Sequence, residues 1–205
     1  MSGRLDPARW PPLLAEASAA AAEAPGMEEA LRVLTACAQG SLGDPEAALR
    51  PGMLKEGERD YRVSGVFLIS PDRRYNVLCA GVGFPPEQRR LSIPLAWANP
   101  GQVVETEREL LLANTDDHEE FRQFLKTSRM GSSLYVPIVS DTGMVGQIVA
   151  AAQARHSYGR ADLPPLRALA AVAALVWNAR NGAAWLARDY PAGDAWYADR
   201  QESRP

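Results

Sequence analysis

The amino-acid sequence predicts an α+β fold, a central antiparallel β-sheet with helices packed on one face and a helix-bearing crossover between its strands. Three observations predict it. Apolar residues recur at helical spacing near both ends, in Met27, Ala30, Leu31, Val33, Leu34, Cys37 and Ala38 and again in Leu166, Leu169, Val172, Ala173, Leu175 and Val176. Between these stripes lie runs dense in β-branched and large apolar residues, Val63 to Ile69 and Asn76 to Phe84. Further on, Ser132 to Ser140 and Met144 to Gln153 flank Asp141-Thr142-Gly143, a loop of the length and chemistry that β-hairpins use.

The elements follow in order. Leu13 to Ala20 is rich in alanine, which favours helix but contributes little packing, so residues 1–26 read as an N-terminal arm or marginal helix closed by Pro25-Gly26. The helix from Met27 ends near Gly40 and Gly43, and Asp44-Pro45 starts a short helical turn to Leu49. Ser70-Pro71-Asp72 is a tight turn that makes the first two strands antiparallel neighbours, and Arg89 to Pro94 begins an edge strand. Around Asn99-Pro100-Gly101 the chain turns into a short helix, then a brief strand from Leu110 to Ala113. Phe121, Phe124 and Leu125 fall on one face of a helix that Asp116 or Asp117 would cap. After the hairpin, one long helix is expected from about Leu163 to Ala187, with Asp162 as its cap and Pro164 and Pro165 in its first turn. The domain is therefore placed at 27–187, with 188–205 as a peripheral tail.

Composition limits the function. The 205 residues are 46% hydrophobic and 23% charged, ordinary values for one globular domain. A formal charge of -3 gives no reason to expect nucleic acid or anionic lipid as a partner. There is no run of about 18 apolar residues to span a membrane and no leader pattern at the start, so a cytoplasmic location is expected. Cys37 and Cys79 stand in no CxxC or Cys/His spacing, which argues against a disulfide framework or structural zinc. No Gly-rich phosphate loop, Gly-x-Ser-x-Gly elbow or His-Glu-x-x-His occurs.

Several stretches together resemble the GAF domain family: Ile93-Pro94-Leu95-Ala96-Trp97-Ala98-Asn99-Pro100-Gly101, Ser132-Ser133-Leu134-Tyr135-Val136-Pro137-Ile138, Gly143-Met144-Val145-Gly146-Gln147-Ile148, and Tyr158-Gly159-Arg160-Ala161-Asp162-Leu163 leading into the last helix. The resemblance implies a GAF-like sheet with the ligand lying between it and the crossover from Ala96 to Met130. Such framework motifs specify a fold and leave the ligand open.

On that basis Trp97, Asn114, Thr115, Asp116, Phe121, Phe124 and Tyr135 are the candidate ligand-binding residues, aromatic walls with a few polar groups suited to a small molecule. Plain core packing explains Trp97 and Phe121 equally well, and a turn-capping role explains Asn114. No cofactor is specified. The sequence lacks the Asn-Lys-Phe-Asp-Glu string of cyclic-nucleotide GAF domains and the cysteine followed by histidine that holds bilins in photoreceptor ones.

The expectation is a non-catalytic sensory or regulatory protein that binds a small molecule and signals through a separate protein. The alternative is a redox protein, with His118 as a haem ligand or Cys79 as the thiol of a methionine sulfoxide reductase-like enzyme. Trp177 and Trp185, eight residues apart on one predicted helix, would form an exposed aromatic ridge, from which a homodimer is expected.

Overall fold

The computed structural model describes residues 6–202 apart from 120 and 128. Six strands form one sheet, β1 (Arg62–Ile69), β2 (Tyr75–Val82), β3 (Ser92–Pro94), β4 (Leu110–Leu112), β5 (Ser132–Ser140) and β6 (Gly143–Ala152), in the order β3-β2-β1-β6-β5-β4 with every pairing antiparallel. The helices are α1 (Trp10–Glu23), α2 (Met27–Ser41), α3 (Ala98–Thr106), α4 (Leu163–Ala179), α5 (Gly182–Asp189) and α6 (Ala198–Glu202). The architecture is the expected α+β one.

Strand alternation divides the core in two. On one face Val66, Leu68, Leu134, Val136, Ile138, Ile148 and Ala150 pack against α1, α2 and α4, whose buried stripes include Leu31, Leu34, Leu166 and Leu169. On the other, Val63, Phe67, Leu78, Tyr135, Val149 and Ala151 meet residues of α3 and of the crossover, among them Val103, Phe121 and Met130. The two-residue period of a strand makes this sorting automatic once the register is set.

Four expectations are refined or corrected. Of the two readings of the N-terminal segment the helix forms, and it is docked: Ala17 and Ala21 of α1 are buried against α2 and α4, and the Arg180 guanidinium donates to the carbonyls of Ala21, Ala22 and Ala24. Alanine is what lets α1 lie that close. Second, the segment carrying Phe121, Phe124 and Leu125 is not helical among its described residues; it holds only a single 3-10 turn at Thr115–Asp117.

Third, the last helix is two. Asn181 adopts a left-handed φ of 50° between α4 and α5, and Gly182 lies against the Trp177 ring, where a Cβ would stand 2.2 Å from ring carbons. Trp177 is thereby only 9% exposed. Trp185, on the other helix, lies beneath the Arg90 guanidinium at 5.8 Å. The two rings therefore do not share one exposed ridge on a single helix.

Fourth, the tail returns to the sheet. Ser92 donates its N–H to the Trp196 carbonyl at 2.7 Å, Trp196 donates to the Arg89 carbonyl at 3.0 Å, and Tyr197 packs edge-on against Tyr75 at 5.1 Å. The short edge strand β3 is thus partly covered by the chain's own end.

Candidate functional site

A cavity of about 60 Å³ lies between the α3 side of the sheet and the crossover. Its floor is the sheet: Val63 and Phe67 from β1, Ser133 and Tyr135 from β5, Val149 and Ala151 from β6. The register sets Ser133 opposite Ala151 and Tyr135 opposite Val149, so small and large side chains alternate across the floor. Leu91, Ile93 and Phe84 close one side, and Phe121, Phe124, Leu125 and Met130 form the roof. Phe84 reaches over the sheet because Gly65 and Gly81 lie beneath it; a Cβ on either would stand 2.8 or 2.7 Å from its ring. Phe84 and Phe67 then meet edge to face at 6.1 Å.

The roof lacks helical hydrogen bonds and takes others from glutamine side chains. Gln88, wholly buried, donates Nε2 to the Phe124 carbonyl at 2.8 Å, and its Oε1 accepts from the Lys126 amide at 2.6 Å. Gln123 donates to the Leu125 carbonyl, and its Oε1 accepts from the Met130 amide. Backbone groups near a cavity need such partners, and here they come from the β2–β3 connection as well as from the crossover itself.

The floor holds two hydroxyls. The Ser133 Oγ is buried, with the Tyr135 hydroxyl as its polar neighbour. The neighbouring Tyr135 hydroxyl has its pKa raised by burial, an effect that the Ser133 hydroxyl beside it partly offsets. Deeper toward the N-terminal end of α3, the wholly buried pair Gln147 and Asn76 is linked at 3.3 Å, and Gln147 Nε2 also donates to the Pro100 carbonyl at 3.1 Å.

Of the seven residues singled out in the sequence, Phe121, Phe124 and Tyr135 line the cavity. Trp97 does not. Its ring stacks on Phe124 at 6.5 Å, with the Arg122 guanidinium 4.2 Å above it, in an outer groove that also holds Trp196 and Lys126. Asn114, Thr115 and Asp116 lie off the cavity because local structure claims them. The Asn114 Oδ1 accepts from the Asp116 amide, capping the 3-10 turn. Thr115 is buried, donating its hydroxyl to the Met130 carbonyl and its amide to the Gly131 carbonyl, which closes the crossover's two ends on each other.

Asp116 belongs to an ion-pair cluster at the sheet's end. Its carboxylate meets Arg155 at 2.9 Å, Lys55 at 2.7 Å and Arg129 at 3.5 Å, while the nearly buried Arg155 also pairs with Glu58. The hydrogen bond from Arg155, followed by that from Lys55, holds the Asp116 pKa down to about 2.

Sequence reasoning missed most of the floor, Val63, Phe67, Ser133, Val149 and Ala151. The available signal was strand parity: each shares a face with Tyr135 once the register is known. His118 is exposed at the end of the 3-10 turn, and Cys79 is buried in the opposite, helix-side core, its thiol pushed up to about 12 chiefly by burial. Among the described residues no group of three metal-binding side chains comes together.

A family model described as GAF domain matches residues 52–178, and the chain belongs to the GAF domain family. Solved structures of the same fold include the GAF domain of an Acinetobacter phosphoenolpyruvate-protein phosphotransferase, 17% identical with a TM-score of 0.66, over 92% of this chain and 98% of that one. A free methionine-R-sulfoxide reductase from Neisseria meningitidis, in complex with its substrate, is 18% identical with a TM-score of 0.67, covering 89% and 97%. A putative GAF sensor protein from Burkholderia vietnamiensis is 16% identical with a TM-score of 0.65, covering 90% and 100%. No curated protein matches the chain in sequence.

Proposed function

We propose that this chain is a non-catalytic sensory domain that binds a small molecule in the cavity between its sheet and the 113–130 crossover. The observation that carries this reading is the cavity itself, a half-open, mostly apolar space whose floor holds the buried Ser133 hydroxyl beside that of Tyr135. A domain built only for packing gains by filling such a space, since voids cost stability.

The output follows from how the roof is held. A ligand that binds one position of the crossover better than another shifts its population, and side-chain bonds from Gln88 and Gln123 are easier to exchange than a helical ladder. The end of the crossover is tied to the ion-pair cluster in which Asp116 joins the nearly buried Arg155 to the exposed Lys55, where a separate signalling protein would read the change.

The redox alternative draws support from the reductase among the similar structures, but little from the residues here. Cys79 faces away from the cavity with a thiol pKa near 12, which leaves almost no thiolate at neutral pH, and His118 points into solvent outside it. A thermal-shift screen of metabolites, with each hit retitrated against Phe121→Ala and Phe124→Ala, tests the proposal. A hit should lose at least about tenfold in affinity in a folded variant. Unchanged affinity in both would place binding elsewhere.

A further inference from the structure

We infer that the outer groove between Trp97 and Trp196 is a second ligand site, which takes a small aromatic anion such as a carboxylate. It lies on the opposite side of the roof from the cavity and does not depend on that cavity being occupied.

Size comes first. The groove is half-open and holds about 330 Å³, at the small end of the range for ligand sites, roughly 300–1,000 Å³. That admits one substituted ring. The walls are apolar, made by Trp97, Phe124, Leu125 and Trp196. Trp97 and Phe124 are themselves stacked, with 18° between their planes, so a ring entering along this wall meets aromatic carbon.

Charge sets the class. The Arg122 guanidinium stands 4.2 Å from the centre of the Trp97 ring, and the Lys126 ammonium 4.1 Å from that of Trp196. Among the described residues no Asp or Glu lines the groove, and the Lys126 ammonium has no carboxylate partner. The chain as a whole carries a formal charge of -3, so a basic groove without acids departs from its average surface. A guanidinium stacked on an indole engages the ring with its face and keeps its N–H groups at the edge for an oxygen acceptor. An aromatic anion answers both features at once: its ring rests on the indoles and its charge meets the two cations.

The groove is also built in advance. The Lys126 amide donates to Oε1 of the wholly buried Gln88 at 2.6 Å. On the other wall Trp196 donates to the Arg89 carbonyl and accepts from the Ser92 amide. A ligand breaks none of these backbone bonds, and walls fixed beforehand spare it the cost of ordering them.

Benzoate, benzamide and acetate separate the ring from the charge. Each is titrated at pH 7 and low salt into the isotope-labelled full chain while the indole N–H resonances of its five tryptophans are followed by NMR. Benzoate is expected to shift Trp97 and Trp196 while Trp10, Trp177 and Trp185 stay still. It should bind about three- to tenfold tighter than benzamide, the worth of one or two exposed ion pairs. Acetate is expected to shift none of the five. Lys126→Gln and Arg122→Gln, both changes to exposed side chains, should each weaken benzoate about two- to threefold and leave benzamide unchanged. Equal affinity for benzoate and benzamide, or benzoate binding that neither substitution weakens, overturns the inference by removing the charge from it. Acetate binding as tightly as benzoate overturns it by removing the ring. Benzoate that moves neither Trp97 nor Trp196 shows that the groove is not a site.

Discussion

At the scale of single residues, environment decides roles that residue type leaves open. Asp116 illustrates this. As a polar residue beside aromatic ones it reads as a pocket group, yet three cations claim its carboxylate. Its depressed pKa, about 2 in the folded chain against an ordinary value near 3.8, means that the folded state favours the ionised form. The stabilisation is therefore complete above about pH 4 and is lost as pH falls through about 2. Because the carboxylate is partly solvated, the contribution is about 1 kcal/mol, below the full linkage value. Asp116→Asn is expected to lower the urea midpoint at pH 7 and to have a much smaller effect at pH 2; equal losses at both would show that shape, and not charge, matters there.

Cys79 gives the second residue-scale prediction. Burial pushes its thiol to about 12, while Cys37 is half-buried and less strongly raised in kind. Alkylation at pH 8 followed by peptide mapping should label Cys37 well before Cys79, which reacts only on unfolding. Rapid native labelling of Cys79 would restore a thiol mechanism to consideration.

At the scale of elements, the sequence was legible wherever local chemistry and tertiary packing agree. The β5–β6 hairpin is one such place, with Ser140 paired to Gly143 across Asp141 and Thr142 and Gly143 taking a φ of 103°. The prolines after Asp162 mark the start of α4, although the Asp162 carboxylate accepts from the amides of Gly43 and Gly159 rather than capping α4 itself. Legibility fails at the crossover. Phe121, Phe124 and Leu125 have helical spacing, but the partners of this backbone include Gln88, more than thirty positions away, and no local pattern encodes that. Half of the candidate site shared this fate: the roof aromatics could be found by their position in the crossover, whereas the floor depends on strand register.

Gln88→Ala tests the element directly. It leaves the Phe124 carbonyl and the Lys126 amide without their partner, at a cost of about 1–3 kcal/mol. Amide exchange is expected to speed up at Lys126 and its neighbours while β5 and β6 stay slow. Uniform acceleration across the hairpin would mean that the crossover is not a separable unit.

At the scale of the whole molecule, the chain covers its own aromatic surface. Trp177 is sealed by Gly182 and the helix-side core, and the tail holds β3 through Trp196 and Tyr197. Trp177→Ala is expected to cost about 3–5 kcal/mol, read as a large fall in denaturant midpoint. A change of under about 1 kcal/mol would return Trp177 to the surface role that the sequence suggested.

No helix among the described residues is long and apolar enough to cross a membrane. What remains is a two-sided sheet with helices sealing one face and the crossover roofing the other, and the space under that roof is the proposed binding site. Ala151 offers the most direct test, since its Cβ stands in the floor beside Ser133 and a larger side chain there occupies the cavity from within. The measurement is calorimetric titration of one ligand into the wild-type chain and into Ala151→Leu, with thermal unfolding of both as the control. A folded variant in which binding is lost is expected. Full affinity in a variant whose cavity is filled would contradict it.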